Sequence, residues 1–322
     1  PAPFPRPRGS RMAAYVLRRL VHMVPVLLLI SVFVFLLVRL VPGDPAAIML
    51  GPRATPENIA KMHAQLRLDD PLWVQYGSFL GRLVQGDLGD SIRKREPVTA
   101  VLATRVPPTL FLVAYAAVLS VLISVPLATL AATHRGGWAD QAVRTFTIVS
   151  LAMPAYWIGM MLLQFFAVKY RFFPVSGWGE GFAGHLHALF LPALSLALAI
   201  SSILVRGLRT SLIETLDADH VRTARAKGLT EGRVFGWHVL RNSSLSTVTV
   251  LGVNLAFLVG GTTIIETIFS VPGIGQLIIR AIFDRDYPVI MGVTLVFGVL
   301  VLAINLLTDL SYAALDPRVK LS

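Results

Sequence analysis

Long apolar stretches alternate with short polar ones along the chain of 322 residues. A helix that crosses the hydrocarbon core of a bilayer needs about 20 consecutive apolar residues. Pro25, Pro126 and Pro154 lie inside such stretches, where neighbouring helices satisfy the carbonyls that a proline leaves without a donor. The pattern predicts an all-α integral membrane protein. Its six predicted spanning helices are 20–38, 106–133, 145–168, 186–205, 245–265 and 287–308.

The apolar stretches also divide the chain into regions. Residues 1–11 are rich in proline and arginine and are predicted to form a disordered tail, with Met12 as a plausible natural start. The other predicted regions are a first transmembrane helix within 12–41, an external helical loop region at 42–105, a transmembrane core at 106–318 and a tail at 319–322.

Composition agrees with a place in the membrane. Charged residues make up only 15% of the chain and hydrophobic residues 55%, whereas soluble domains are about 25% charged. The net charge of +11 would also be compatible with a protein that binds nucleic acid. No recognition motif accompanies the charge, however, and cations also accumulate on the cytoplasmic loops of membrane proteins. Because the chain has no cysteine, disulfides, thiolate metal sites and cysteine nucleophiles are excluded.

The distribution of Lys and Arg among the short loops predicts the orientation. Short cytoplasmic loops of membrane proteins carry an excess of these cations. On one side the short loops hold only Lys169, Arg171, Arg280 and Arg285. The other side holds Arg6, Arg8, Arg11, Arg18, Arg19, Arg135, Arg144, seven cations from Arg206 to Arg241, Arg318 and Lys320. This second side, which includes both termini, is therefore predicted to be cytoplasmic.

One polar segment, residues 206–242, interrupts the apolar second half of the chain. Ser211 and Glu214 have the spacing of a capping box, which predicts a helix start. Gly228 follows a turn rich in cations and suits the left-handed position after a helix end, and Thr230 is placed to cap a second helix. The segment is therefore predicted to form two short helices outside the bilayer that fit a socket on another protein.

Motifs that carry catalysis are missing from the sequence. It contains no GxxxxGK[ST] phosphate loop, no HExxH and no GxSxG. His185 and His187 are interpreted as ordinary interfacial histidines, so no metal site is predicted. The polar residues within the spans do not form the acid pair or relay of a proton-driven carrier. A non-catalytic membrane protein is predicted, with an ATP-independent secondary carrier and a structural subunit that transports nothing as alternatives.

Residues 219–230 and 238–242 closely resemble the coupling loop, or EAA motif, of ABC importer permeases. The match is to the first-permease type of the dipeptide, oligopeptide, glutathione and nickel group. Its Glu-Ala-Ala triplet falls on 222–224, and the proline that usually follows the Arg241–Asn242 pair is absent. The residues that this resemblance implies in ATPase coupling are Asp219, Arg222, Thr223, Ala224, Arg225, Ala226, Lys227, Gly228, His238 and Arg241.

The resemblance extends over nearly the whole chain. Shorter matching motifs lie at 15–20, 41–45, 85–89, 266–269, 272–275, 285–289 and 316–318. It implies a six-helix ABC type I importer permease fold in the bacterial inner membrane. It also implies a homologous second permease, two cytoplasmic ATPase subunits and an external solute-binding protein as partners. ATP and magnesium are then expected on the ATPase subunits, with no cofactor bound by this chain.

Two groups of side chains are predicted within residues 219–241, which we name the coupling segment. Val221, Ala224, Val234, Phe235 and Trp237 are expected to pack the segment against the rest of the chain. Arg222, Arg225, Lys227 and Arg233 are expected to meet acidic groups on the ATPase. The alternative, that these cations contact only the membrane surface, stays open.

A second candidate site concerns the translocation path. Asn254 and Glu266 belong to the fifth span and its end, and Pro272 and Gly273 to the last external loop. These four are predicted to line the path or a gate, with a plain surface turn as the alternative for the loop. The external loop at 170–187 is short and favours a small solute. The resemblance implies a di- or tripeptide or a glutathione-like peptide, with nickel or another small solute as the alternative.

Overall fold

A computed structural model describes residues 8–40, 44–51, 54–66 and 68–315. The described residues are helical apart from turns and one isolated β-bridge between Asp90 and Pro97. The chain divides into two compact units, which are treated separately below. The first comprises residues 1–107 and 272–302, and the second comprises residues 108–271 and 303–322.

Among the residues that the structure describes, five helices are long and apolar enough to cross a membrane. They are α1 (Arg8–Leu40), α5 (Val98–Thr133), α8 (Gly181–Leu216), α11 (Arg241–Ile268) and α13 (Tyr287–Leu315). All five overlap the predicted spans but run past them, because apolarity marks only the part of a helix that lies in lipid. The tail predicted at 1–11 is wrong from Arg8 onward, where α1 begins. No proline follows Pro7 until Pro25, so nothing prevents the helix from starting early. Residues 1–7 and the tail at 319–322 lie outside the described residues.

The third predicted span is not one helix. It is divided between α6 (Trp138–Ala152) and α7 (Ala155–Leu162), and α7 continues as a π-helical segment, Leu163–Lys169. The two halves meet at an angle of 100°. Met153 and Pro154 between them have extended backbones, because proline disfavours the helical conformation of the residue before it. The bent pair counts as a sixth span if both halves belong to one crossing.

The first unit contains α1, three short helices, the start of α5, α12 (Ile274–Phe283) and most of α13. The short helices are α2 (Pro45–Leu50), α3 (Pro56–Leu66) and α4 (Leu72–Val84). The hydroxyls of Ser31 on α1 and Tyr76 on α4 are 2.8 Å apart, and Phe35 packs edge-on against Tyr76. Thr55 caps α3 by accepting the N–H of Asn58, as the sequence pattern of threonine before proline indicates.

His63 joins two parts of the loop region in this unit. Its Nδ1 is 3.0 Å from Asp69 and its Nε2 is 2.9 Å from Asp44. The hydrogen bonds to Asp69 and then Asp44 raise the pKa of His63 above its usual value. The protonated ring bridges both carboxylates, and this contribution to stability is lost as the pH rises through the raised pKa.

Asp286 holds the loop before α5 in place. Ser91 Oγ donates to its carboxylate at 2.6 Å, and the backbone N–H groups of Ile92 and Arg93 donate at 3.2 Å. Asp286 is buried, and a buried carboxylate with three donors is a stable arrangement. At Gly292 of α13 an added Cβ would lie 2.6 Å from Val98, so glycine permits the close approach of these helices.

The second unit is built around α8, the most deeply buried of the candidate spans. One cluster of buried side chains surrounds its first half and includes Leu189, Leu196 and Ile265. Another surrounds its last turns and includes Leu208 and Leu212. Side chains of the coupling segment, residues 219–241, pack within this second cluster.

Candidate functional site: the coupling segment

The coupling segment follows α8 directly. Because α8 continues without a break to Leu216, Ser211 and Glu214 lie in its last turns and the predicted capping box is wrong. The spacing of Ser and Glu by three residues also occurs inside helices, and only the backbone decides which applies. The backbone carbonyl of Ser211 instead accepts the hydroxyl of Ser243 at 3.2 Å. The end of α8 is thereby tied to the start of α11.

The first helix of the segment, α9 (Asp219–Ala226), ends in a Schellman motif. The N–H of Gly228 donates to the carbonyl of Arg225 at 2.9 Å, and that of Leu229 donates to Ala224 at 3.3 Å. Gly228 has a φ of +76°, which glycine adopts without the strain that a Cβ introduces. The glycine turn predicted from the sequence is therefore observed. It reverses the chain within two residues.

The second helix of the segment does not end where expected. Thr230 occupies the position before α10 (Glu231–Arg233), but its side chain makes no capping hydrogen bond. From α10 the chain continues through a π-helical segment, Val234–Leu240, directly into α11. The span predicted near 245–265 is confirmed as the apolar part of α11, Thr247–Ile268. It is continuous with the helical residues before it, because no proline or extended residue interrupts the backbone between Glu231 and Ile268. One continuous helical path joins the glycine turn to the membrane span.

Four of the five apolar residues predicted to pack the segment do so, and three of these four are buried. Val221 and Val234 are 0% exposed and Ala224 is 5% exposed. Phe235 packs against the same cluster. Trp237 is 63% exposed, so its predicted packing is wrong, and the guanidinium of Arg241 lies 4.7 Å from its ring centre. Trp237 and Arg241 thus form a stacked pair on the outer surface.

The charged face of the segment points away from the buried cluster. Arg222, Lys227 and Arg233 are exposed, and Arg222 is 3.9 Å from the fully exposed Asp219. Arg225 is already engaged, since it donates two hydrogen bonds to Glu231 at 2.9 and 3.2 Å. This bidentate pair bridges the glycine turn and joins the two helices. Its position across the turn gives Arg225 a structural role within the segment.

The remaining predicted coupling residues lie on or beside this surface. Thr223 donates its hydroxyl to the carbonyl of Asp219 at 2.8 Å, and Ala226 is exposed at the end of α9. His238 is half-buried in the π-helical segment. His220 Nε2 lies 3.3 Å from the amide of Asn242. The predicted coupling residues therefore lie within two short helical stretches and one turn, with Ala224 on the buried side.

A buried charge cluster beside the segment was missed by sequence reasoning. Asp140 of α6 is 0% exposed, and Arg209 of α8 donates to both of its oxygens at 2.7 and 2.8 Å. The N–H of Gly136 donates at 3.0 Å, and Arg144 lies 3.2 Å away. The only sequence signal was an isolated acid among loop arginines. The cluster fixes α6 to α8 just before the coupling segment.

The candidate path residues have different environments. Glu266 is 0% exposed and accepts the hydroxyl of Thr109 at 2.6 Å. Asn254 donates to the carbonyl of Val250, one turn earlier in α11, at 2.6 Å. In the other unit, Pro272 is partly buried and Gly273 precedes the first residue of α12. Their assignment to a path or gate stays a prediction.

Metal-ligand geometry is not found in the part of the chain that the structure describes, where no group of three or more His, Cys, Asp or Glu side chains converges. His185 Nδ1 lies 3.0 Å from the carbonyl of Trp178, and its ring stacks on that indole. His187 lies 2.9 Å from the carbonyl of Phe172. Both histidines contact the loop that precedes α8.

The fold resembles solved membrane transporters. An inward-facing structure of the MetNI methionine ABC transporter aligns with a TM-score of 0.56 at 18% identity, covering 67% of this chain and 96% of that one. An amino acid ABC transporter crystallised with histidines aligns with a TM-score of 0.52 at 15% identity. The alignment covers 67% of this chain and 94% of that one. The fold is that of an ABC importer permease.

Sequence comparison identifies the family. Residues 124–321 match the binding-protein-dependent transport system inner membrane component, and residues 12–113 match the N-terminal region of such membrane components. The chain belongs to this family of inner membrane components. It is the permease subunit of an ABC importer, a multi-pass protein of the inner membrane. Membership implies that it works with an ATPase and a binding protein.

Curated relatives match along almost their full length. A probable peptide ABC transporter permease of Sinorhizobium fredii is 38% identical over 96% of this chain and 100% of its own length. The glutathione transport system permease of Salmonella typhimurium is 38% identical over 96% of this chain and 99% of its own length. A putative peptide transport system permease of Brucella abortus is 37% identical over 96% of this chain and 99% of its own length.

Proposed function

We propose that the coupling segment is the surface that binds the ATPase subunit and receives its motion. The observation that carries this proposal is the division of the segment into two faces. Val221, Ala224 and Val234 are buried in the cluster around the last turns of α8. The cations Arg222, Lys227 and Arg233 are exposed. The bidentate Arg225–Glu231 pair joins the two helices of this surface across the glycine turn.

Motion of the segment reaches the spans through continuous helices. The chain enters the segment from α8 and leaves it through the π-helical segment into α11. Closure of the ATPase pair on ATP moves the segment, which tilts α8 and α11 together. Alternating access follows when this tilt opens the path to one side of the membrane at a time. ATP and the loaded binding protein supply the differential binding energy that such a two-state change requires.

The assembly that we propose contains a homologous second permease and two cytoplasmic ATPase subunits. This chain binds no cofactor, and ATP with magnesium is held by the ATPase subunits. An external binding protein delivers the solute to the region around residues 42–105. Both termini lie in the cytoplasm, which is supported by the excess of Lys and Arg on that side.

Topology is tested with single cysteines, since the chain contains none. Ala54 and Gly232 are exposed positions, and an added Cβ at Gly232 meets no atom within 4 Å. Cysteine at Ala54 is expected to react with an impermeant maleimide from outside the cell, and cysteine at Gly232 only in inverted vesicles. Labelling of both from the same side would refute the proposed orientation.

The proposed substrate is a small peptide, either a di- or tripeptide or a glutathione-like one. Two relatives named for peptide transport and one named for glutathione transport support this choice. The external loop between Lys169 and Gly181 is short. Within it Tyr170 stacks on Phe172, and Trp178 stacks on His185 of α8. Nickel is the second candidate, and the family resemblance supports it.

Uptake by the purified importer in proteoliposomes separates these substrates and the rival mechanisms. We expect ATP-dependent uptake of labelled dialanine that excess glutathione or tripeptide reduces and excess nickel does not. A catalytically inactive ATPase subunit is expected to abolish uptake. Persistent uptake with the inactive ATPase would establish a secondary carrier. Uptake of labelled nickel without uptake of dialanine would replace the peptide assignment.

A further inference from the structure

A cleft of about 380 Å³ lies between α6 and α8, close to the buried Asp140–Arg209 pair. The two helices contribute residues at the same spacing, i, i+1, i+4 and i+5, so each presents one face to the cleft. The lining residues are Val143, Arg144, Thr147 and Ile148 from α6 and Val205, Arg206, Arg209 and Thr210 from α8. The cleft is therefore cationic on part of its wall and apolar on the rest.

The charges at the cleft do not cancel. Three arginines line it, and Asp140 is the carboxylate that pairs with two of them, Arg209 and Arg144. Arg206 is exposed and has no carboxylate partner among the residues that the structure describes. One acid against three cations leaves an excess of two positive charges. Such an excess at a defined position favours an anionic ligand.

The cleft lies where two spans change from charged to apolar. Arg144 is the last charged residue before the apolar stretch 145–168, and Arg206 is the first after the stretch 186–205. Ile148, one turn beyond Arg144, is 63% exposed. Lipid phosphates lie at this boundary, with acyl chains on the apolar side and water on the other.

We propose that this cleft binds the phosphodiester group of an anionic phospholipid. Arg144 and Arg206 donate to the phosphate oxygens, for which the planar guanidinium fork is well suited. One acyl chain lies against Ile148 and the neighbouring apolar surface of α6. The buried Asp140 holds Arg209 in the wall of the cleft and does not contact the lipid. The apolar side of the cleft distinguishes a lipid from a free phosphate.

Native mass spectrometry of the purified importer complex tests the proposal. The complex is extracted from nanodiscs that contain equal amounts of phosphatidylglycerol and phosphatidylcholine. Preferential retention of phosphatidylglycerol is expected. R206Q is expected to lower that retention about fivefold, the effect of removing one arginine from a site at the membrane surface. R206K keeps the charge and is expected to retain most of the lipid.

The matched control is R18Q, which removes an exposed arginine from α1 at the edge of the first predicted span. R18Q is expected to leave retention unchanged, and an equal loss in both variants would overturn a specific site. Equal retention of the two lipids by the wild-type complex would also overturn it. Displacement of the lipid by excess inorganic phosphate would assign the cleft to a soluble anion. R144Q provides an independent measurement should R206Q fail to assemble.

Discussion

Replacing Gly228 by valine is expected to uncouple ATP hydrolysis from uptake while the protein still inserts into the membrane. Gly228 has a φ of +76°, and a side chain in the left-handed region costs roughly 1–2 kcal/mol. An added Cβ meets no atom within 4 Å, so the loss arises from the backbone and not from crowding. If the turn opens to relieve this strain, binding of the ATPase subunit weakens about tenfold. Uptake and ATPase rates in proteoliposomes measure the effect.

Two matched variants make the result specific. G232V introduces the same side chain four residues later, within the helical part of the segment, where the added Cβ also meets no atom within 4 Å. Asparagine tolerates the left-handed conformation better than valine, so G228N is expected to retain more uptake than G228V. Normal coupled uptake in G228V would rule out a role for the turn. Equal losses in G228V and G232V would point to surface bulk as the cause.

The second large effect is expected for Asp140. Changing it to asparagine leaves the guanidinium of Arg209 without the carboxylate that accepts its hydrogen bonds at 2.7 and 2.8 Å. Removing one partner of a buried ion pair costs about 3–5 kcal/mol, and the low end applies because Arg209 keeps some contact with solvent. Thermal unfolding of the purified chain is expected to shift to a clearly lower temperature.

Asp217 supplies the control for this change. It pairs with Arg135 at 3.6 Å, and the two side chains are 68% and 65% exposed. Exposed pairs contribute only about 0–1 kcal/mol, so D217N is expected to leave the unfolding temperature nearly unchanged. The double variant D140N/R209Q removes both charges and is expected to recover part of the loss. Equal unfolding temperatures for D140N and D217N would show that the buried cluster is not a structural anchor.

Much of the fold was predictable because spanning helices leave a long apolar signal. The sequence located α1, α5, α8, α11 and α13, whereas their ends extend into polar residues that carry no hydropathy signal. The sequence did not show which prolines interrupt a helix, and the reason is physical. Pro25 and Pro126 stay inside helices while Pro154 ends one. Whether a proline is accommodated depends on the neighbours that satisfy the freed carbonyl, and those neighbours are distant in sequence.

In and beside the coupling segment, too, features that depend on adjacent residues were predictable, whereas contacts between residues far apart in sequence were not. The turn at Gly228 was predicted because a Schellman motif depends on a few adjacent residues. The pairing of Asp140 with Arg209 joins residues 69 positions apart and leaves no local pattern. Trp237 was expected to be buried because it is apolar, yet its ring lies under Arg241 at the surface. Aromatic rings with a polar partner are often found in such exposed positions.

The bend at Pro154 has a consequence for the life of the subunit in the cell. The helix before it has 15 residues and the helical stretch after it has 8 and 7, so each half reaches at most about 22 Å. Neither half alone crosses a hydrocarbon core of about 30 Å. Lipid cannot hydrate an interrupted backbone, so the break must face protein or water. A copy synthesised without the rest of the importer is therefore expected to expose the interrupted backbone at Pro154 to lipid.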